Sequence, residues 1–226
     1  WPTHLSEQST RERKLASAVL FGIVNRCASI IQHGFVVAAI VPYLGAEVYG
    51  IWTTANAMVA WMALGNFGLG LALITELSNQ NAAADRTRLI TSTFVSLTAA
   101  SLLMFALAYG LVQLFPMETW MAETSLAPAE LHQLSLIAIF TAALVLFLSI
   151  GHATLQGSQR GDLSARAAST GILVSICLNF AHLFWSPSLL PLALSLSLLF
   201  LLPPLFQCAV AMRSGYLTLQ LHRFSL

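Results

Sequence analysis

Between Arg166 and Arg213 the chain carries no Asp, Glu, Lys or Arg. A run of that length is no surface element of a water-soluble domain, because such an element keeps one polar face. A helix needs about 20 mostly apolar residues to cross the hydrocarbon core of a membrane. The run is therefore too long for one crossing and suits two. It breaks at Ser186, Pro187, Ser188 and Pro191, where proline removes backbone donors and restricts the residue before it.

The rest of the chain repeats the pattern. Of the 226 residues 57% are hydrophobic and 8% charged, against roughly a quarter charged in soluble domains. The apolar runs predict six helical spans, at about 15–41, 50–74, 89–115, 133–155, 167–185 and 188–212. Strict alternation of apolar and polar residues, the mark of a membrane barrel, is absent. The expected fold is an all-α polytopic bundle, with segment 1–14 before it and 213–226 after it. Arg11, Arg13 and Lys14 precede an apolar stretch too long for a secretory leader, so that stretch reads as the first span.

Orientation follows from the basic residues. With the N-terminus inside, the inner segments hold Arg11, Arg13, Lys14, Arg86, Arg88, Arg160, Arg166, Arg213 and Arg223, nine of the ten Lys and Arg. The outer loops hold only acidic residues, Glu47, Glu118, Glu123 and Glu130. This is the positive-inside pattern and places both termini in the cytoplasm. Tyr43, Tyr49, Trp52, Trp120 and Trp185 fall where an outer interfacial belt is expected. A net charge of +1 points to no nucleic-acid partner.

Three glycines, Gly65, Gly68 and Gly70, crowd the second predicted span. Their order, Gly-x-x-Gly-x-Gly, is not the dinucleotide fingerprint, and no strand precedes them. Within a membrane helix such residues let neighbours approach or the helix bend. At about 100° per residue Thr53, Asn56, Ala60, Ala63 and Gly70 share one side, a small and polar seam.

The first span is amphipathic. Gly22, Asn25, Arg26, Ser29, Gln32 and His33 fall within roughly a third of its circumference. Leu20, Ile23, Val24, Cys27, Ala28, Ile30, Ile31 and Phe35 are expected opposite. A mid-span arginine costs about 2.5 to 3.5 kcal/mol on insertion scales, and no acidic residue lies deep in any span to pair with it. Such a charge facing a wet cavity suits an anionic substrate. Snorkelling to the interface is the structural alternative for Arg26, and interhelical hydrogen bonding for Asn25, Ser29 and Gln32. His33 either packs against a neighbour or relays protons. His152, Asn179 and His182 are isolated in the fourth and fifth spans and read as packing or boundary residues.

Enzyme chemistry finds no foothold. There is no Gly-x-Ser-x-Gly, no His-Glu-x-x-His and no Walker loop. Cys27, Cys177 and Cys208 are odd in number and set in apolar runs, so they fit neither a disulfide framework nor a zinc site. No cofactor or metal is expected.

LGAEVYGIW at 44–52, followed by LGNFGLGLALITELSN at 64–79, resembles the start of Wzx-type oligosaccharide flippases of the multidrug/oligosaccharidyl-lipid/polysaccharide exporter superfamily. LQGSQRGDL at 155–163 is similar to the family's Gln-Gly-containing loop. Two departures stand out: Asn66 where the pattern has Asp, and Leu71-Ala72 where it has Asn-Gly. The resemblance implies a six-helix lobe in a bacterial inner membrane, facing a second lobe or second copy across a central cavity. It implies alternating access for a polyprenyl-diphosphate-linked oligosaccharide, whose tail stays among the membrane lipids. On that reading Arg26 meets the diphosphate, and Asn25, Ser29, Gln32, His33, Asn56 and Asn66 line the path. A drug or lipid exporter of the same superfamily and a non-transporting scaffold are the other classes compatible with the residues.

Overall fold

The computed structural model describes residues 16–17, 19–31, 34, 38, 41–63, 68–79, 83–115, 126–185 and 189–219. These residues are helical throughout, apart from short turns and ends, with no strand among them. The helices are α1 (Val19–Ile31), α2 (Val41–Leu44), α3 (Ala46–Ala63), α4 (Leu69–Asn79), α5 (Ala83–Leu114), α6 (Pro128–Gly157), α7 (Gly161–Trp185) and α8 (Leu189–Arg213). Among the described residues four helices are long and apolar enough to cross a membrane: Asp85–Leu114, Pro128–Gly157, Gly161–His182 and Ala193–Arg213. We therefore read the chain as a membrane protein.

These four lie where the last four apolar runs predict them, but each begins or ends beyond the run. Helix α5 starts before residue 89 and includes Asp85, Arg86 and Arg88 in its first turns. A helix of 32 residues at about 1.5 Å per residue outreaches the roughly 30 Å hydrocarbon layer, so charges at its end need not enter lipid. Hydroxyls deeper in the helices bond to their own backbone. Thr98 donates to Phe94 O at 2.7 Å, Thr141 to Ile137 O at 2.7 Å, and Ser197 to Ala193 O at 2.9 Å. Such local bonds spare each group a partner the membrane cannot supply.

The continuous second span expected over 50–74 is corrected by the structure: it is two helices. Helix α3 ends at Ala63 and α4 begins at Leu69. Between them Gly68 adopts φ +74°, a left-handed conformation that side chains disfavour and that no helix interior contains. A Cβ on Gly68 would meet nothing within 4 Å, so this glycine serves the backbone conformation and not a close approach. Gly70 is buried in the first turn of α4. The seam drawn through Thr53 and Gly70 therefore does not lie on one helix. Thr53 instead donates to Gly50 O at 2.8 Å.

Helix α6 is the centre of the bundle, packed against α3, α4, α5, α7 and α8. At one end Leu73 and Leu77 of α4 meet Ile90 and Leu97 of α5, Ile150 and Leu155 of α6, and Ala211 of α8. At the other end Ile51 and Trp52 of α3 meet Leu131 and Leu134 of α6 and Leu196 and Leu199 of α8. So α3 and α4 follow one another along α6, each covering a different half.

Glycine sets the closest approaches. A Cβ on Gly151 of α6 would fall 2.5 Å from Cys208 Cα of α8, and one on Gly171 of α7 would fall 2.7 Å from Pro203 Cα. Helix α8 runs through Pro203 and Pro204, whose missing N–H groups leave two carbonyls of its own ladder without donors. It ends in a Schellman turn: Gly215 takes φ +72°, Tyr216 N donates to Ala211 O at 2.9 Å, and Gly215 N to Met212 O at 3.1 Å.

Candidate functional site

The basic residues meet at one end of the bundle. Arg86 at the start of α5 donates to Ser158 Oγ after α6, at 2.9 Å. Arg160, in the turn between α6 and α7, donates to Asp162 Oδ1 at 3.1 Å and to Tyr216 Oη at 2.7 Å, and its guanidinium lies 5.5 Å from the Tyr216 ring centroid. The hydrogen bond to Asp162 holds the Arg160 guanidinium protonated even more firmly than usual. Leu217, next in the chain, is buried in the core at this end, and Thr218 Oγ1 lies 3.4 Å from Thr87 Oγ1.

Helix α1 joins the bundle through α7. Arg166 donates to Ser17 Oγ at 2.9 Å and stacks its guanidinium 5.0 Å from the Phe21 ring centroid, while Ser169 donates to Phe21 O at 3.4 Å. Both contacts advance along the two chains together, so α1 and α7 run parallel and begin at the same, basic end.

That docking decides which way α1 is turned. Ala28 is its one buried hydrophobic residue, although the sequence pattern places it on the outer, apolar face. Phe21, Asn25 and Ser29 are partly buried beside it. Asn25 Oδ1 is enclosed without a hydrogen-bond partner among the described residues. Arg26 is exposed, as are Ile23, Ile30 and Ile31. Among the described residues the one ion pair is Arg160–Asp162, so Arg26 meets no carboxylate there. Gln32, His33 and Asn66 lie outside the described residues, and so does the side chain of Asn56, whose backbone belongs to α3.

A second polar group was not legible from the chain. His152 of α6, Ser164 of α7 and Gln207 of α8 converge near the basic end. Gln207 Nε2 lies 3.2 Å from His152 Nδ1, 3.2 Å from Ser164 O and 3.0 Å from Ser164 Oγ. Ser164 and Gln207 are buried, at 0% and 8% exposure, whereas His152 is exposed. Its only sequence signal was a lone histidine in an apolar run. The partners come from two other helices and share no spacing with it.

Among the described residues no three His, Cys, Asp or Glu side chains are grouped closely enough to hold a metal ion. The arrangement offers hydrogen-bonding groups, the exposed Arg26 cation and a Ser164 hydroxyl 3.2 Å from His152 Nδ1. The chain matches no protein-family model, no curated protein and no solved structure.

Proposed function

We propose that the chain is one lobe of a carrier that moves a polyprenyl-diphosphate-linked oligosaccharide across a bacterial inner membrane. The observation that carries this reading is Arg26, an exposed cation on an apolar helix with no acidic partner among the described residues. A membrane helix retains such a costly charge where an anion or water meets it. The resemblance of 44–52, 64–79 and 155–163 supplies the substrate class.

On this reading α1, the α3–α4 pair, α5, α6, α7 and α8 make six crossings, and the basic end with both termini faces the cytoplasm. The α3–α4 pair is then a discontinuous crossing, a feature that transporters place beside their cargo path. The opposing wall of the cavity belongs to a second lobe or a second copy. Transport proceeds by rocking of the two halves about the site, with Arg26 attracting the diphosphate and neutral groups giving exchangeable bonds. A carrier for cationic drugs would want a carboxylate in mid-membrane. In α5, α6 and α7 the acidic residues Asp85, Glu130 and Asp162 instead lie in the first turns.

The test is the sidedness of lipid-linked oligosaccharide in cells expressing variants within the complete protein. Arg26→Ala should stop translocation at normal membrane levels, and Arg26→Lys should retain part of it, because lysine keeps the charge but not the planar fork. Normal translocation by Arg26→Ala would remove Arg26 from the site and the reading with it.

A further inference from the structure

The geometry points to a proton-binding site at the junction of α6, α7 and α8: His152 takes up a proton at Nδ1, and in doing so displaces the Gln207 amide that ties α8 to α7. The site goes beyond the cargo reading and is independent of it.

The hydrogen-bond directions fix where a proton can go. The Ser164 carbonyl can only accept, so the Gln207 amide atom 3.2 Å from it is the NH2 group. The same nitrogen lies 3.2 Å from His152 Nδ1, and because an amide NH2 cannot accept, a hydrogen bond between the two has Nδ1 as its acceptor. Neutral His152 thus carries its hydrogen on Nε2 and offers a lone pair on Nδ1. Ser164 Oγ, 3.2 Å from Nδ1, can donate to the same lone pair. A second proton has one place to bind, and Gln207 occupies it.

Protonation turns Nδ1 from acceptor to donor. Two N–H groups cannot face each other at hydrogen-bond distance, so the amide must rotate or withdraw. Rotation presents the Gln207 carbonyl to Nδ1–H but also to the Ser164 carbonyl, where two acceptors then oppose. The Ser164 hydroxyl can adjust, because it both donates and accepts; the carbonyl cannot. The charged ring is therefore incompatible with the closed contact between Gln207 of α8 and Ser164 O of α7.

Position makes the site usable. His152 lies at the surface of the bundle, while Ser164 and Gln207 are buried beneath it and can report only through it. The site lies near the end of α6 at Gly157, the start of α7 at Gly161 and the end of α8 at Arg213. Among the described residues the ion pair is Arg160–Asp162, so His152 has no carboxylate counter-ion there; Glu76 of α4 is exposed, and Arg86 of α5 is turned to Ser158. On α7 Asp162 is engaged by Arg160, and Arg166 is turned to Ser17 and Phe21. On α8 Cys208 is buried against Gly151, and Arg213 is exposed. Nothing here traps the histidine in its charged form, as a reversible site requires.

The experiment uses the full chain in lipid nanodiscs with 15N-labelled histidine. His152 Nδ1 is expected to gain its proton as the pH is lowered. Amide hydrogen exchange over 205–213, corrected for its intrinsic pH dependence, should rise several-fold as that happens. His152→Asn keeps an acceptor near the Nδ1 position but cannot take the proton, so exchange there should no longer respond to pH. Gln207→Met should keep the histidine titration and lose the response. A ring that stays neutral at every pH at which the chain remains folded overturns the site. A titrating ring with unchanged exchange, or an equal response in either variant, overturns the coupling. The wild-type titration decides the first point even if a variant fails to fold.

Discussion

Asn179 of α7 and Ser195 of α8 are joined twice: the asparagine Nδ2 donates to Ser195 O at 3.0 Å, and the serine hydroxyl donates back to Asn179 Oδ1 at 3.1 Å. The same Nδ2 also donates to Ser175 O at 2.8 Å, so both amide hydrogens are engaged, and the residue is 1% exposed. Asn179 holds two helices together and has no donor left for a ligand. Replacing it by Leu should cost about 0.6 to 1.7 kcal/mol, the range for interhelical hydrogen bonds in membranes. An unfolding titration in mixed detergent reads this. A variant as stable as the wild type would mean that the pair contributes nothing net.

The glycines divide by what surrounds them. Gly151→Ala and Gly171→Ala place a methyl group 2.5 and 2.7 Å from backbone atoms of α8, which cannot turn aside. Each should cost about 1 to 3 kcal/mol through forced separation of the helices. Gly22→Ala and Gly110→Ala meet no atom within 4 Å and should leave the same unfolding titration unchanged. Equal behaviour of the two groups would contradict the close crossings.

At Gly68 the cost is conformational. The φ of +74° should make Gly68→Ala less stable by about 1 to 2 kcal/mol, while Gly68→Asn, better suited to left-handed backbone, should lose less. Thermal melts of the two variants test the order. If Ala proves the milder change, the turn between α3 and α4 is not what Gly68 provides.

The latch at the basic end is separable into its parts. Tyr216→Phe removes the 2.7 Å hydrogen bond from Arg160 but keeps the ring under the guanidinium, and should cost about 1 kcal/mol. Arg160→Ala removes both contacts and leaves Asp162, 8% exposed, without its cation, so its loss should be the larger. Detergent unfolding of both variants gives the comparison; equal losses would place the whole effect in the Tyr216 bond.

Topology has a direct test. Reporter fusions after residue 212 and within 117–130 should appear on opposite sides of the membrane, with the former cytoplasmic, because the described basic residues other than Arg26 gather where α8 ends. Reporters on the same side would require a different number of crossings.

Much of the helical architecture was legible in the chain because helix formation and apolar length are local properties. The four long helices α5 to α8 stand on uninterrupted apolar runs, and each residue of a run contributes without reference to distant partners. The gathering of Arg86, Arg160 and Arg166 at one end follows from their regular placement between those runs. Rotation and crossing were not local. Helices α6, α7 and α8 are apolar on every side, so no periodicity showed that Gly151 faces Cys208, that Gly171 faces Pro203, or that His152, Ser164 and Gln207 share a hydrogen-bonded group. Gly68 and Gly70 look alike as letters, yet one is held at a left-handed turn and the other is buried in a helix. Even in α1, where a polar stripe was visible, the burial of Ala28 and the exposure of Arg26 depended on contact with α7. Those facts belong to the packed structure, because they arise between residues far apart in sequence and only the relative placement of whole helices brings them together.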